Sequence, residues 1–266
     1  MRKLAIITGA TGGIGHAVTA RLWREGYSLI VMGKTAEKVL ALKHDPLFTV
    51  RQEEQYDAWM TADLTTDSLL HFEATLEMFP DHTPTLLVLC HGAAPAPGPA
   101  MHAWHTMKLV YETDVLGAFA LCQLVGRHML QQRHGSIVFV SSLHAKMTYP
   151  ERLPYVVAKS AIVGMSKALA VEWGPQGVRS NVIVPWQVEG ERSRRMIEAA
   201  AAEGYDLDEA YRQRSPMRRL IQPEEIADAV VFLSRNDACN GVEMVLDGGV
   251  SSSMWYQGFT QEMSEK

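Results

Sequence analysis

Short apolar runs rich in β-branched residues and leucine alternate along the chain with longer stretches of mixed character. The runs are LAIIT (4–8), SLIVM (28–32), TLLVLC (85–90), SIVFVS (136–141), NVIV (181–184) and EMVLD (243–247). Their length and lack of in-and-out polar alternation predict strands buried on both faces. Between them, residues 14–25, 66–79, 101–131, 153–173 and 223–235 have helical periodicity. A further short strand is expected just before Ala62-Asp63-Leu64, which reads as a turn. Strands alternating with helices predict a parallel sheet covered on both sides, with ligands at the carboxyl ends of the strands. The expected fold is therefore α/β, a doubly wound parallel sheet in three layers (α/β/α). Proline-rich AAPAPGPA (93–100) reads as a loop after the fourth strand, and no linker or repeat divides the chain. Residues 1–266 are read as one domain. From 186 to 222 the alternation breaks down into a polar, arginine-rich segment, the candidate substrate lid, and 250–266 is a C-terminal tail.

Composition narrows the function. With 266 residues and 47% hydrophobic content the chain can bury a full core. No apolar run approaches the roughly 18–20 residues of a membrane span, and the apolar start is too short for a signal peptide. A cytoplasmic protein without membrane or nucleic-acid partners is expected, because the net charge of −5 offers no general attraction to polyanions. Cys90, Cys122 and Cys239 are widely spaced and odd in number, which suits reduced thiols, and no metal-ligand spacing is present. Arg192, Arg194, Arg195, Arg212, Arg214, Arg218 and Arg219 make one region locally basic. It reads as solvated surface or, alternatively, as a face for an anionic substrate.

Three stretches carry candidate chemistry. TGATGGIG (8–15) joins the first strand to the first helix, where Gly9, Gly13 and Gly15 let the backbone approach a pyrophosphate at the positive end of the helix dipole. At the end of the second strand stand Gly33 and Lys34, with no carboxylate to bond a ribose 2′-hydroxyl, so a 2′-phosphate and NADP(H) rather than NAD(H) are expected. Asp63 is a candidate adenine partner or a simple turn residue. Finally, Tyr155 and Lys159 are four residues apart in PYVVAK, hence on one helical face, and a cation beside a phenol favours the phenolate. Tyr155 is thus a candidate general acid or base.

Taken together, TGATGGIG, ADL, Ser141-Ser142, YVVAK and LDGG (246–249) resemble the short-chain dehydrogenase/reductase family over almost the whole chain. The resemblance implies that the doubly wound sheet is of Rossmann type and that the chain is an NAD(P)-dependent oxidoreductase of carbonyl compounds or secondary alcohols, commonly a homotetramer. It makes Ser142, thirteen positions before Tyr155, the holder of the substrate oxygen, Tyr155 the proton donor or acceptor, and Lys159 the partner of the nicotinamide ribose. Ser141 is expected to be structural. Cofactor contacts implied in the same way are Gly9, Thr11, Gly13, Ile14, Gly15, Lys34, Asp63, Leu64, Gly92, Tyr155, Lys159, Pro185 and Val188.

Three departures from the family pattern bear on this reading. LCHG (89–92) replaces NNAG and keeps only the glycine by type, with His91 expected to pack or hydrogen-bond locally. Asp114 stands where the family has an asparagine that supports the lysine through water. Trp186 stands where a glycine is usual, and is expected in the pocket or, alternatively, in the core. Val188 could contact the cofactor through its backbone. Pocket positions are expected at His144, Met147, Tyr149, Trp186 and Met196, with MWYQGF (254–259) as a further candidate. The alternative function is a catalytically weak or inactive NADP(H)-binding regulatory or scaffold protein.

Overall fold

Residues 2–48, 55–64 and 72–253 are described by a computed structural model. Seven parallel strands form one sheet: β1 (Arg2–Thr8), β2 (Ser28–Gly33), β3 (Asp57–Thr61), β4 (His82–Leu89), β5 (Gly135–Val140), β6 (Val178–Pro185) and β7 (Glu243–Leu246). Their order is β3-β2-β1-β4-β5-β6-β7. The register sets Ile7 beside both Val31 and Val88, and Thr8 beside Leu89. Because the strand order reverses between β1 and β4, the chain leaves these two strands in opposite directions and opens a crevice at their carboxyl ends. The fourth strand starts earlier than its apolar run suggests, at His82, and Cys90 lies just beyond it.

Alternation within the buried strands makes two cores, one on each face of the sheet. Leu4, Ile6, Ile30, Met32, Leu87, Leu89, Ile137 and Phe139 pack to one side, and Ala5, Ile7, Leu29, Val31, Leu86, Val88 and Val138 to the other. The first core is covered by α5 (Gly117–Gln132) and α6 (Leu153–Trp173), which bury Leu121, Val125, Met129, Ile162 and Leu169. The second is covered by α1 (Gly13–Arg24) and α9 (Pro223–Arg235), which bury Val18, Leu22, Ile226, Val230 and Leu233. Burial of both faces is what makes the strand sequences uniformly apolar.

The remaining helices qualify the sequence reading. α2 (Ala36–Lys43) lies where the sequence pattern predicts no helix, and α3 (Phe72–Glu77) falls within the 66–79 segment, of which residues 72–79 are described. Residues 186–222 are not irregular: α7 (Glu191–Ala202) and α8 (Leu207–Arg214) account for much of them. α4 (Trp104–Val110) runs through a π-helical turn, Tyr111–Leu116, into α5. This combined helix, Trp104–Gln132, is long and apolar enough by length and composition to cross a membrane. Here it packs against β4, β5 and α6 and buries a carboxylate, Asp114. The tail reaches a short turn at Val250–Ser252, and its aromatic stretch 254–259 lies outside the described residues.

Candidate active site

The glycine turn after β1 is shaped by steric necessity. Gly9 has φ +61°, and a Cβ there would lie 2.7 Å from the His91 backbone. A Cβ on Gly15 would lie 2.2 Å from the Gly9 carbonyl oxygen. Gly13 differs, since its nearest neighbour would be Glu189 O at 3.7 Å. The turn is packed on its inner side and open at the mouth of α1, the geometry that admits a pyrophosphate to helix N–H groups. His91 is tied down by Thr8, whose Oγ1 is 2.6 Å from its Nδ1. Burial pushes the His91 pKa down to about 4, so it sits in the site neutral.

Two clefts flank this turn. On one side Gly9, Thr11, Gly33, Lys34, Asp63, Leu64 and Gly92 line a cavity of the size and position for an adenosine group. Lys34 is 66% exposed at its side chain and pairs with Asp63 at 3.0 Å. On the other side Gly13, Ile14, Gly15, Gly92, Ser142, His144, Tyr149, Tyr155, Pro185, Trp186 and Val188 line a second cleft, with Met196 at its α7 edge. Met147 does not line that cleft, but an adjoining lobe with His144, Tyr149, Trp186 and Tyr211. Trp186 serves both: it is half-buried against the core, edge-on to Tyr211 at 6.2 Å, and forms the wall between the two spaces. Val188 pairs with Ile221 through its neighbours, with Ile221 N–H donating to Gln187 O and Glu189 N–H donating to Ile221 O. In a parallel pairing this turns Val188's own N–H and C=O to the opposite side.

Beneath the second cleft lies a buried ion pair. The π-helical turn adds a residue to the helix and aims Asp114, fully buried, at Lys159. Asp114 Oδ2 is 3.1 Å from Lys159 Nζ, and its Oδ1 accepts a 2.6 Å bond from Ala93 N–H. Burial, the largest influence on Lys159, disfavours its charge; the Asp114 carboxylate and the Tyr155 phenol outweigh it and hold the pKa above the ordinary lysine value. Lys159 Nζ lies 5.7 Å from the Tyr155 ring centre. Gly92 roofs the pair, since a Cβ there would be 2.7 Å from Nζ and 3.0 Å from Asp114 Oδ2. Ser141 anchors the helix by donating from Oγ to Lys159 O at 2.8 Å, while Ser142 Oγ accepts from His144 N–H at 3.3 Å. Ser142, Tyr155, Lys159 and Asp114 are thus gathered at one point, a hydroxyl and a phenol facing the cleft and a charge pair behind them.

A family model described as enoyl-(acyl carrier protein) reductase matches residues 9–251. The chain belongs to the short-chain dehydrogenase/reductase family. Within it, the A-factor type gamma-butyrolactone 1′-reductase (1S-forming) of Streptomyces virginiae is 31% identical over 254 residues, 93% of this chain and 95% of that protein. D-threitol dehydrogenase of Mycolicibacterium smegmatis is 30% identical over 254 residues, 93% of this chain and 92% of that protein. The solved structure of ElxO with NADP bound superposes with a TM-score of 0.83 at 23% identity, covering 95% of this chain and all of that one, and shares the fold. As a short-chain dehydrogenase/reductase the protein is an oxidoreductase of the nicotinamide-dependent kind that acts on small alcohols or carbonyl compounds, and its glycine turn and open α1 mouth fit such a cofactor.

Sequence reasoning missed Arg152 of the second cleft and Tyr211 of the adjoining lobe as members of the site. Arg152 is buried one helical turn before Tyr155, and its Nη2 donates to Tyr149 Oη at 2.9 Å. Its proximity to Tyr155 in sequence was a signal, but nothing in the local pattern marks a buried arginine. Tyr211 lies in the arginine-rich segment, where no helix was expected.

Proposed function

We propose that this protein transfers a hydride between NADP(H) and a carbonyl compound or secondary alcohol, with Tyr155 as proton donor and acceptor. The observation that carries the reading is the placement of Tyr155 in one cleft with Ser142 and the glycine turn, backed by Lys159 and its buried Asp114 partner. The bound cofactor supplies or accepts the hydride. The chain's own task is to stabilise charge on the substrate oxygen as it changes between carbonyl and alkoxide. Ser142 Oγ and Tyr155 Oη provide two hydroxyls for that oxygen, and Lys159 provides a positive field that makes the phenol a better donor. Asp114 keeps Lys159 protonated despite its burial and fixes its position. In the same reading Gly9, Thr11, Gly13, Ile14, Gly15, Asp63, Leu64, Gly92, Pro185 and the outward backbone of Val188 hold the cofactor.

The preference for NADP(H) rests on Lys34. It stands largely exposed just after β2, where a 2′-phosphate would lie and where the strand itself ends in no carboxylate; Asp63, 3.0 Å from its Nζ, is the partner that such a phosphate would displace. α7 and α8 form the substrate lid, because the segment leading into α7 supplies one wall of the cleft. Self-association is part of the reading as well: Trp104, Leu116 and Phe119 on the long helix and Leu153 and Val157 on α6 are exposed and apolar.

Titration of the protein with NADPH and NADH by intrinsic fluorescence, followed by a ketone and alcohol panel run with wild type and Tyr155→Phe, tests this reading. Tight NADPH binding, turnover, and loss of turnover in Tyr155→Phe are expected. Preferential NADH binding overturns the role of Lys34, and full activity in Tyr155→Phe overturns the proton-donor assignment.

A further inference from the structure

The second cleft has a charge imbalance that the chemistry above does not use. Arg152 is only 6% exposed, yet it has no carboxylate partner among the described residues. Its Nη1 donates to Pro95 O at 3.2 Å and its Nη2 to Tyr149 Oη at 2.9 Å, both uncharged acceptors, and its Nε makes no hydrogen bond. Those bonds occupy donors without neutralising the cation, and an unpaired buried charge is costly. A second guanidinium faces the same space: Arg192, in the first turn of α7, lies 5.6 Å from the Tyr155 ring centre and has no ion pair among the described residues. The carboxylates nearby are engaged elsewhere. Glu191 pairs with Lys38 and Arg195, whereas Glu189 accepts from the neutral Gln222 Nε2 and keeps a charge that is felt at Arg212. Glu151 forms no ion pair with Arg152. The two arginines outnumber Glu189, the one lining carboxylate without an ion pair, and burial followed by these two cations drives the His144 pKa down to about 4, so His144 adds no charge of its own.

Resting on the oxidoreductase reading above, we propose that Arg152 and Arg192 form the recognition site for an anionic group on the substrate, so that the protein acts on a hydroxy acid or oxo acid. A carboxylate suits this site: a guanidinium offers donors in a planar fork matched to two carboxylate oxygens. Arg152, Tyr155 and Arg192 line the same cleft, with the Arg192 guanidinium 5.6 Å from the Tyr155 ring centre, so the anion sits near the reacting carbon. The lobe lined by Met147, Tyr149, Trp186 and Tyr211 receives the remainder of the molecule as an apolar body. Unlike the solvated arginines further along this segment, Arg152 is inside the cleft and Arg192 at its edge.

The test pairs α-, β- and γ-oxo acids with their methyl esters, using NADPH and wild type, Arg192→Met and Arg152→Lys. Wild type is expected to favour at least one acid over its ester, with KM lower by about tenfold to a hundredfold, the range of a charge-assisted contact. Arg192→Met should bring that preference toward unity. Arg152→Lys keeps the charge but loses the fork, and should raise the KM of the acid more than it lowers kcat. NADPH affinity is measured in parallel. If wild type prefers no acid, if the variants weaken acid and ester alike, or if Arg192→Met weakens NADPH binding instead, the assignment is overturned. Arg192 is exposed, so its variant folds even if the buried substitution does not. A binding experiment separates this proposal from the catalytic one. Calorimetry of benzoate and benzamide against the enzyme–NADPH complex reads the anion site without turnover. Benzoate binding with no reduction of any carbonyl compound would sink the catalytic reading and leave the anion site standing. Turnover of esters and ketones with no acid preference would do the reverse.

Discussion

Replacing Asp114 by asparagine removes one charge from behind Tyr155, the proposed proton donor, and little else. Asparagine is isosteric and keeps an oxygen to accept from Ala93 N–H, the 2.6 Å bond that holds the residue in place. At the effective dielectric of about 20 suited to protein sites, the direct attraction across the 3.1 Å Asp114–Lys159 contact is about 5 kcal/mol. Loss of it leaves a buried lysine unpaired, and stability should fall by up to about 3–5 kcal/mol. The effect on Tyr155 is smaller because it is more distant. Lys159 Nζ is 5.7 Å from the ring centre, so with the two separations laid end to end the Asp114 carboxylate lies at most about 9 Å from the ring. At that distance and dielectric a unit charge contributes about 2 kcal/mol, or roughly one pH unit. The sign follows from both members of the pair. Without the carboxylate Lys159 loses a contribution that raises its pKa, and the phenolate of Tyr155 faces a less compensated cation. Each change makes the unit release its proton more readily, so the limb of the kcat/KM profile that it governs should move about one unit to lower pH. Initial rates of alcohol oxidation across buffers of constant ionic strength measure this. Glu112→Gln is the control, since Glu112 sits two residues away, paired at 3.8 Å with Lys108. A profile that stays in place in Asp114→Asn, or shifts equally in Glu112→Gln, would refute the coupling.

The remaining predictions concern the cofactor end and stability. Lys34→Ser should weaken NADPH about tenfold, the loss of roughly one charge-assisted contact, and leave NADH little changed; equal loss for both cofactors in fluorescence titration would detach Lys34 from the 2′-phosphate. Gly9→Ala must adopt φ +61° and push against the His91 backbone, so it should lose at least about 1–2 kcal/mol of stability along with cofactor binding, and a urea midpoint equal to wild type would contradict the steric account. Glu225 receives two 2.7 Å bonds from Arg219 and one of 2.8 Å from Gln222 N–H, which hold its pKa at about 2, below its ordinary 4.5. Its contribution to stability is therefore present above about pH 4.5 and lost as the pH falls toward 2, so the urea midpoints of wild type and Glu225→Gln should differ at neutral pH and converge in acid; a constant difference would show that the depressed ionisation does not stabilise the fold.

The elements visible in the sequence are those whose burial is repetitive. β2 and β5 are buried at every position, and α9 repeats buried apolar residues along one stripe. α7 and α8 left no such trace, because only Ser193 in one and Tyr211 in the other are fully buried. They are held instead by capping and charge. Gly190 and Ser193 exchange bonds at one N-terminus, Asp206 accepts from Glu209 N–H at the next, and Arg212 pairs with Asp208 one turn along. Caps and surface pairs of this kind contribute a fraction of a kcal/mol to about 1 kcal/mol each and produce no hydrophobic period. α2 is short and buries only Val39 and Leu42, too few positions to fix a period.

The same distinction separates the two halves of the second cleft. Tyr155 and Lys159 could be paired from spacing because a helix converts four positions in sequence into adjacency in space. The meeting of Lys159 with Asp114 needs two helices and a π-helical turn, and no periodicity encodes it; only the likeness of the surrounding residues to a family pattern suggested it. Arg152 had neither kind of support. Whether an arginine beside a helix start is solvated or buried depends on what covers it, and its cover comes from a loop 57 residues earlier, where Pro95 O accepts its Nη1. Seven arginines taken as a group suggest either a solvated surface or a face for an anionic substrate. The fold separates that group: Arg212 and Arg219 are paired with Asp208 and Glu225, while Arg192 turns toward Tyr155. The number of arginines was therefore a poor guide to substrate charge. A missing acidic partner is informative where the arginine is also buried: Arg152, 6% exposed in the cleft of Tyr155, keeps a charge that no described carboxylate neutralises, which is the reason to look for a compensating group outside the chain.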